Sequence, residues 1–223
     1  MHLSKKNKTF LGLLVTDKEL LVNIFVIFIF LFLSATFPAE NSAQIITKNI
    51  FFLIILPIIY IKIILKKNLT DFGFNLRNKR TAIHWGGGLL AFSLLLFYLF
   101  LNYSGFQAGY KLPAEVISSF WSYLLYELII VNFIFFIHDF FFRGFMLSFF
   151  QKKFQYWSIL IQAGSYSFVL LLTKSFSWEV FPMILFSITG GILAYKTKSF
   201  LYSYFMNFFA IIILDAYIIY LSK

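Results

Sequence analysis

The chain has 223 residues, 61% of them hydrophobic and 13% charged, with 33 Phe, no Cys and a mean hydropathy of +0.84. A soluble domain of this length cannot hide so much apolar surface, so the composition excludes a water-soluble globule and requires an integral membrane protein. The formal net charge of +10 does not mark a nucleic-acid binder, because the basic residues fill short gaps between apolar runs rather than one face of a domain.

A membrane-crossing helix needs roughly 20 apolar residues. In chain order, the runs that predict spans are residues 20–37, 50–65, 82–101, 122–142, 157–173, 181–195 and 201–221, the second and sixth with soft ends. Lys5, Lys6, Lys8 and Lys18 before the first run, and Ser34 and Ala35 near its end, outline a signal peptide. Its apolar core is long for one, so the segment is expected to be retained. The absence of Cys excludes disulfides, thiolate metal sites, a cysteine nucleophile and prenyl or palmitoyl attachment.

The basic residues orient these spans. The N-terminal arm carries four, and the gap after span two carries Lys66, Lys67, Arg77, Lys79 and Arg80, with Lys62 snorkelling from the span end. Arg143, Lys152 and Lys153 follow span four, and Lys196 and Lys198 follow span six. The alternate gaps and the C-terminus hold one each, namely Lys48, Lys111, Lys174 and Lys223, so 15 of the 19 basic residues fall on one side. The positive-inside rule makes that side cytoplasmic. The predicted fold class is therefore all-α, a polytopic transmembrane helix bundle of about seven spans, with a cytoplasmic N-terminus and an outside C-terminus. Residues 1–223 read as a single membrane domain without repeats or linkers; 68–80 is the longest cytoplasmic gap and 104–113 its outside counterpart.

Ionisable groups at membrane depth are expensive and mark candidate sites. His138 and Asp139 are expected within about two turns of the cytoplasmic end of span four, and Asn207 roughly 10 Å in from the same side on span seven, by a rise of about 1.5 Å per residue. With Arg143 these form one polar layer. Glu127 and Asp215 form a second nearer the outside, where Lys174 ends span five. Eleven residues separate Glu127 from His138, almost whole helical turns, so a regular helix puts them on one face. Asp139 and Arg143 are spaced i, i+4 and can pair.

Structural roles compete with functional ones at each position. Asp139 and Arg143 suit an ion pair closing the helix at the headgroups with Arg143 snorkelling, His138 and Asn207 suit interhelical hydrogen bonds, and Gly86, Gly87, Gly88, Gly190 and Gly191 suit close helix packing. His84 beside Trp85 suits the membrane interface. As chemistry, an intramembrane hydrolase needs a base to activate water and a site for an oxyanion. His138 and Asp139 supply the first, and Asn207 or Arg143 the second. Zinc takes three protein ligands and a water, and Asp215 lies in the other layer, so no metal and no cofactor are expected.

The stretch His138-Asp139-Phe140-Phe141-Phe142-Arg143-Gly144-Phe145 resembles the Glu-Glu-x-x-x-Arg motif of the CAAX-protease and bacteriocin-processing family of intramembrane proteases, the CPBP or Abi group. Tyr166 and Leu170 stand where that family carries Phe and His. Asn207 and Ile211 stand at its late His and Asn, after Gly190-Gly191 and the 195–199 stretch, and Asp71-Phe72-Gly73-Phe74 matches its polar gap. The resemblance covers roughly residues 68–211, a CPBP/Abi-like core. It implies a membrane endopeptidase in which the first Glu activates water and the His and Asn residues assist or bind metal. Here His138, Asp139, Leu170, Asn207 and Ile211 replace those groups, and Arg143 alone is retained. The resemblance thus implies an inherited scaffold with altered chemistry.

Three functions follow in order. The first is a degenerate, non-peptidase member that binds a membrane-protein or envelope-enzyme partner, as in bacteriocin immunity or cell-envelope regulation. The second is an active CAAX-type endopeptidase with His138 as base, Asp139 orienting it and Asn207 at the oxyanion. The third is a transporter or channel using Glu127, Asp215 and Lys174, for which inverted repeats and broken helices are lacking. The expected surroundings are membrane lipid in a bacterial plasma membrane, with no nucleic acid.

Overall fold

The computed structural model describes residues 18–103, 106–173 and 180–222, and these are helical with short connections. Among the described residues, five helices are long and apolar enough to cross a membrane: α1 (Lys18–Thr36), α2 (Ser42–Ile64), α3 (Lys79–Tyr103), α4 (Phe120–Phe154) and α7 (Phe200–Leu221). Two shorter apolar helices, α5 (Trp157–Leu172) and α6 (Phe181–Thr197), lie between α4 and α7. Large apolar side chains face outwards all round the bundle, among them Phe25, Ile83, Trp121 and Phe209, the inverse of a water-soluble surface and what a lipid surround requires. The chain is a polytopic membrane bundle. Lys5, Lys6, Lys8, Lys174 and Lys223, used above to orient it, lie outside the described residues.

The helices coincide closely with the apolar runs, with one difference that matters. The fourth run does not stop at Phe142: α4 continues to Phe154 as a helix of 35 residues. Arg143 therefore sits in mid-helix, 7% exposed, and does not snorkel to the headgroups. It leaves the count of gap charges expected on the cytoplasmic side, while Lys152 and Lys153 at the end of α4 remain in it.

Helix α4 divides the interior. Phe141, Phe142, Phe145 and Phe149 pack with α1, α2 and α5, whereas Val131, Phe135 and Phe140 pack with α3, α6 and α7. One helix serves two cores because its apolar residues run all round it. Two segments of α4, Tyr126–Val131 and Asp139–Met146, are π-helical. Such wide turns are uncommon and gather at functional positions. They also shift the phase of the helix, so Glu127 and His138 do not share a face: Glu127 turns towards Asp215 on α7 and His138 towards Tyr166 on α5.

Polar contacts tie the first two helices together inside the bundle. Tyr60 on α2 donates to Asn23 on α1 at 2.7 Å, and Ser34 on α1 donates to Asn49 on α2 at 2.8 Å. The 68–80 gap is not a free loop. A short turn, Leu69–Phe72, ends at Gly73 with φ of 86°, and Phe72 is buried against Phe145 and Phe149 of α4. Gly73 needs its left-handed backbone, and a Cβ there would fall 2.9 Å from the backbone nitrogen of Phe200. Asn75 and Asn78 donate to the carbonyls of Lys198 and Thr197, satisfying acceptors that the end of α6 leaves open. The gap thereby clamps the α6–α7 corner against α4 beneath the polar layer.

Candidate functional site

Asp139 and Arg143 share the buried face of the π-helical segment and form an ion pair. Arg143 Nη2 also donates to the carbonyl of Phe186 on α6 at 2.6 Å, and Asn207 Nδ2 on α7 donates to Asp139 Oδ2 at 3.3 Å. The group thus bridges α4, α6 and α7, with Asp139 and Asn207 fully buried. Breaking such a pair costs more than forming it gains, because the remaining charge is left in low dielectric.

Space for this network comes from α6. A Cβ on Gly190 would lie 2.7 Å from Asn207 Nδ2 and 2.8 Å from Arg143 Nε, and one on Gly191 would lie 2.6 Å from Gln162 Nε2. The two glycines therefore accommodate polar side chains from three neighbouring helices, a more specific duty than bringing helix backbones together. A Cβ at Gly86 would meet Leu193 of α6 in ordinary contact at 3.6 Å, and one at Gly87 or Gly88 has no neighbour within 4 Å.

Gln162 on α5 is a member that the sequence reading missed. It is fully buried, donates to the carbonyl of Ser187, and leaves Oε1 without a partner. Its signal was available: it is the one side-chain amide in the run 157–173. With His138, Asp139, Arg143, Tyr166 and Ser187 it lines a cavity of about 10 Å³, the lower limit of room for one water. His138 Nδ1, Arg143 Nε and Gln162 Oε1 are all buried without hydrogen-bond partners.

His138 stands between this cavity and a larger cleft of about 550 Å³, walled by α1, α2, α4 and α5. Ser34, Lys48, Asn49, Tyr166, Leu170 and Thr173 are among its lining residues. The His138 ring packs edge-on to Tyr166 at 5.4 Å. Asp139 makes no hydrogen bond to it, because adjacent residues on a helix point in different directions. Leu170, at the position where the resemblance places His, lines the same cleft and brings no polar atom. Ile211 is buried among the apolar side chains of α3, α4 and α7.

The four candidate residues therefore divide. Asp139, Arg143 and Asn207 form one hydrogen-bonded network, and His138 faces the cleft beside it. The residues do not fit a metal: among the described residues no group of three His, Cys, Asp or Glu side chains gathers, and Asp139 is committed to Arg143 and Asn207.

Residues 119–212 match the family model described as type II CAAX prenyl endopeptidase Rce1-like. The matched stretch begins just before α4 and ends within α7, so it contains all four candidate residues together with Gln162 and the two glycines of α6. A search of curated proteins and a search of solved structures each found no match.

Proposed function

We propose that this is a CPBP/Abi-like membrane protein in which the peptidase centre has become a binding site. The cleft beside His138 holds a segment of a membrane-protein or envelope-enzyme partner, in the manner of bacteriocin immunity or cell-envelope regulation. The single domain spans residues 1–223 with its core at 68–211, crosses a bacterial plasma membrane seven times, and has its N-terminus in the cytoplasm. The state of Asp139 carries the reading. Its carboxylate is bound by Arg143 and Asn207, so it neither orients His138 nor leaves Asn207 free for an oxyanion. Leu170 in the cleft wall supports the same conclusion, since a leucine neither donates nor accepts a proton.

The second reading, an altered CAAX-type endopeptidase, draws on one observation: His138 Nδ1 is unpartnered beside a cavity of single-water size. A photo-crosslinking residue at Leu172 in the cleft, compared with one at lipid-facing Phe209 in native membranes, separates the two. Binding predicts an adduct at Leu172 alone, with the partner intact and adduct formation kept in His138→Ala. A partner that is shortened in cells with the unaltered protein and full-length with His138→Ala would overturn the binding reading.

A further inference from the structure

A second pair of buried ionisable groups lies on the other side of α4 and takes no part in the cleft. Glu127 on α4 and Asp215 on α7 are each 1% exposed, and they sit at one level of the α4–α7 seam, because Tyr123, four residues before Glu127, donates to the carbonyl of Ile212, three residues before Asp215, at 2.8 Å. Each lies roughly 10 Å from the nearer helix end, by a rise of about 1.5 Å per residue. Tyr110, from the segment preceding α4, donates to Asp215 Oδ1 at 2.8 Å. Tyr123 on α4 faces both carboxyls but donates to the carbonyl of Ile212, and Tyr126 approaches Tyr110. Neither oxygen of Glu127 has a hydrogen-bond partner. The ion pairs among the described residues are Lys67–Glu19 and Arg143–Asp139, and neither reaches this pair.

Two ionised carboxylates are acceptors only, so they cannot hydrogen-bond to one another. Side by side in apolar surroundings they repel, and each has lost its water. One positive charge between them removes both difficulties: it supplies the missing donor or ligand for Glu127, and leaves a single negative charge that Tyr110 already hydrogen-bonds at Asp215. We propose that Glu127 and Asp215, with Tyr110, form a monovalent-cation site that is loaded with a proton or a sodium ion when the protein is folded. The inference is independent of what occupies the cleft.

The test uses the full chain, purified in one detergent, melted across mildly acidic to mildly alkaline pH in choline chloride and in sodium chloride at equal ionic strength. In choline, raising the pH strips the bound proton, and the unaltered protein should lose roughly 5 °C of melting temperature more than Glu127→Gln or Asp215→Asn, the scale expected for unloading one occupied site. Sodium that restores the loss in the unaltered protein alone identifies sodium as a second occupant; no restoration leaves the proton as the occupant. Labelling with dicyclohexylcarbodiimide, which attacks protonated carboxyls in apolar surroundings, reports on the unaltered protein even where a variant does not fold. Modification of the Glu127 or Asp215 peptide should fall as pH rises. Identical pH and sodium responses in the unaltered protein and both variants, or no labelling of either peptide at any pH, overturns the proposal.

Discussion

Gly190 of α6 leaves the space that Arg143 of α4 occupies, and a methyl group added there would come within 2.8 Å of the guanidinium Nε. The nearest atoms belong to an arginine fixed by Asp139 and Phe186 and to Asn207, itself bonded to Asp139, so neither moves without loosening the other. Gly190→Ala should therefore lower stability by about 1–3 kcal/mol, as overpacking does. Gly87→Ala, with nothing within 4 Å, should be neutral or raise stability by up to about 1 kcal/mol through helix propensity. Denaturant or thermal unfolding in a common detergent measures both. Equal effects would mean that the cradle has been misread.

The ion pair gives a second, sharper contrast. Arg143→Ala strands the Asp139 carboxylate in a site that is 0% exposed, with Asn207 as its remaining donor, and should cost about 3–5 kcal/mol. The double variant Asp139→Asn with Arg143→Gln removes both charges and should cost clearly less than the single. Unfolding of the unaltered protein and the two variants measures the contrast. A double variant no better than Arg143→Ala would show that the two residues do not act as one unit.

Much of the helical layout was legible because lipid imposes a simple rule: apolar runs of sufficient length, interrupted by charge. The same rule misled at Arg143. A guanidinium at the end of a largely apolar run reads as a headgroup anchor, yet here the charge is neutralised internally by Asp139 and helix α4 runs on for about three more turns. The π-helical turns were not legible either, since they follow from packing rather than composition, and they rotate His138 away from Glu127. Asp139, Arg143 and Asn207 were legible as polar groups of one depth. That Asn207 serves Asp139, and that Gln162 and Gly190 complete the layer, depends on which helices are neighbours, and a single sequence does not encode that directly.

The α1–α2 pair rests on Tyr60 and Asn23, joined by a buried hydrogen bond of 2.7 Å. Tyr60→Phe leaves the Asn23 carbonyl oxygen without that donor, and should cost about 1–3 kcal/mol, the desolvation penalty of an unsatisfied buried group. Tyr98→Phe, at a side chain 53% exposed on α3, should change stability by less than about 0.5 kcal/mol. Parallel melting curves check the difference, and a Tyr60→Phe protein as stable as Tyr98→Phe would remove this bond as a tie between the helices.

The proposed topology predicts opposite sides for two chain positions. With Arg143 assigned to the interior, Lys152 and Lys153 close α4 on the basic, cytoplasmic side, and one basic residue remains at the C-terminus. Reporter fusions after Lys152 should be active in the cytoplasm, and fusions after Lys223 outside. Both reporting the same side would mean that α5, α6 or α7 does not cross.

The last prediction concerns turnover. A general base must be able to take a proton from water and must be held in position. His138 has an unpartnered Nδ1 beside the small cavity, but its neighbour Asp139 is occupied by Arg143 and Asn207 and cannot hold the ring or stabilise an imidazolium. Arg143 is likewise committed to Asp139 and Phe186, so it is not free to stabilise a developing oxyanion. The purified protein should therefore leave a prenylated CAAX-type peptide uncut, and His138→Ala, Asp139→Asn and the unaltered protein should be indistinguishable in a mass-spectrometric cleavage assay. Leu170→His, which puts an imidazole into the cleft wall, should not by itself create activity, because the Asp139 carboxylate remains paired. Cleavage by the unaltered protein that disappears in folded His138→Ala would make His138 a working base and return the chain to the peptidases.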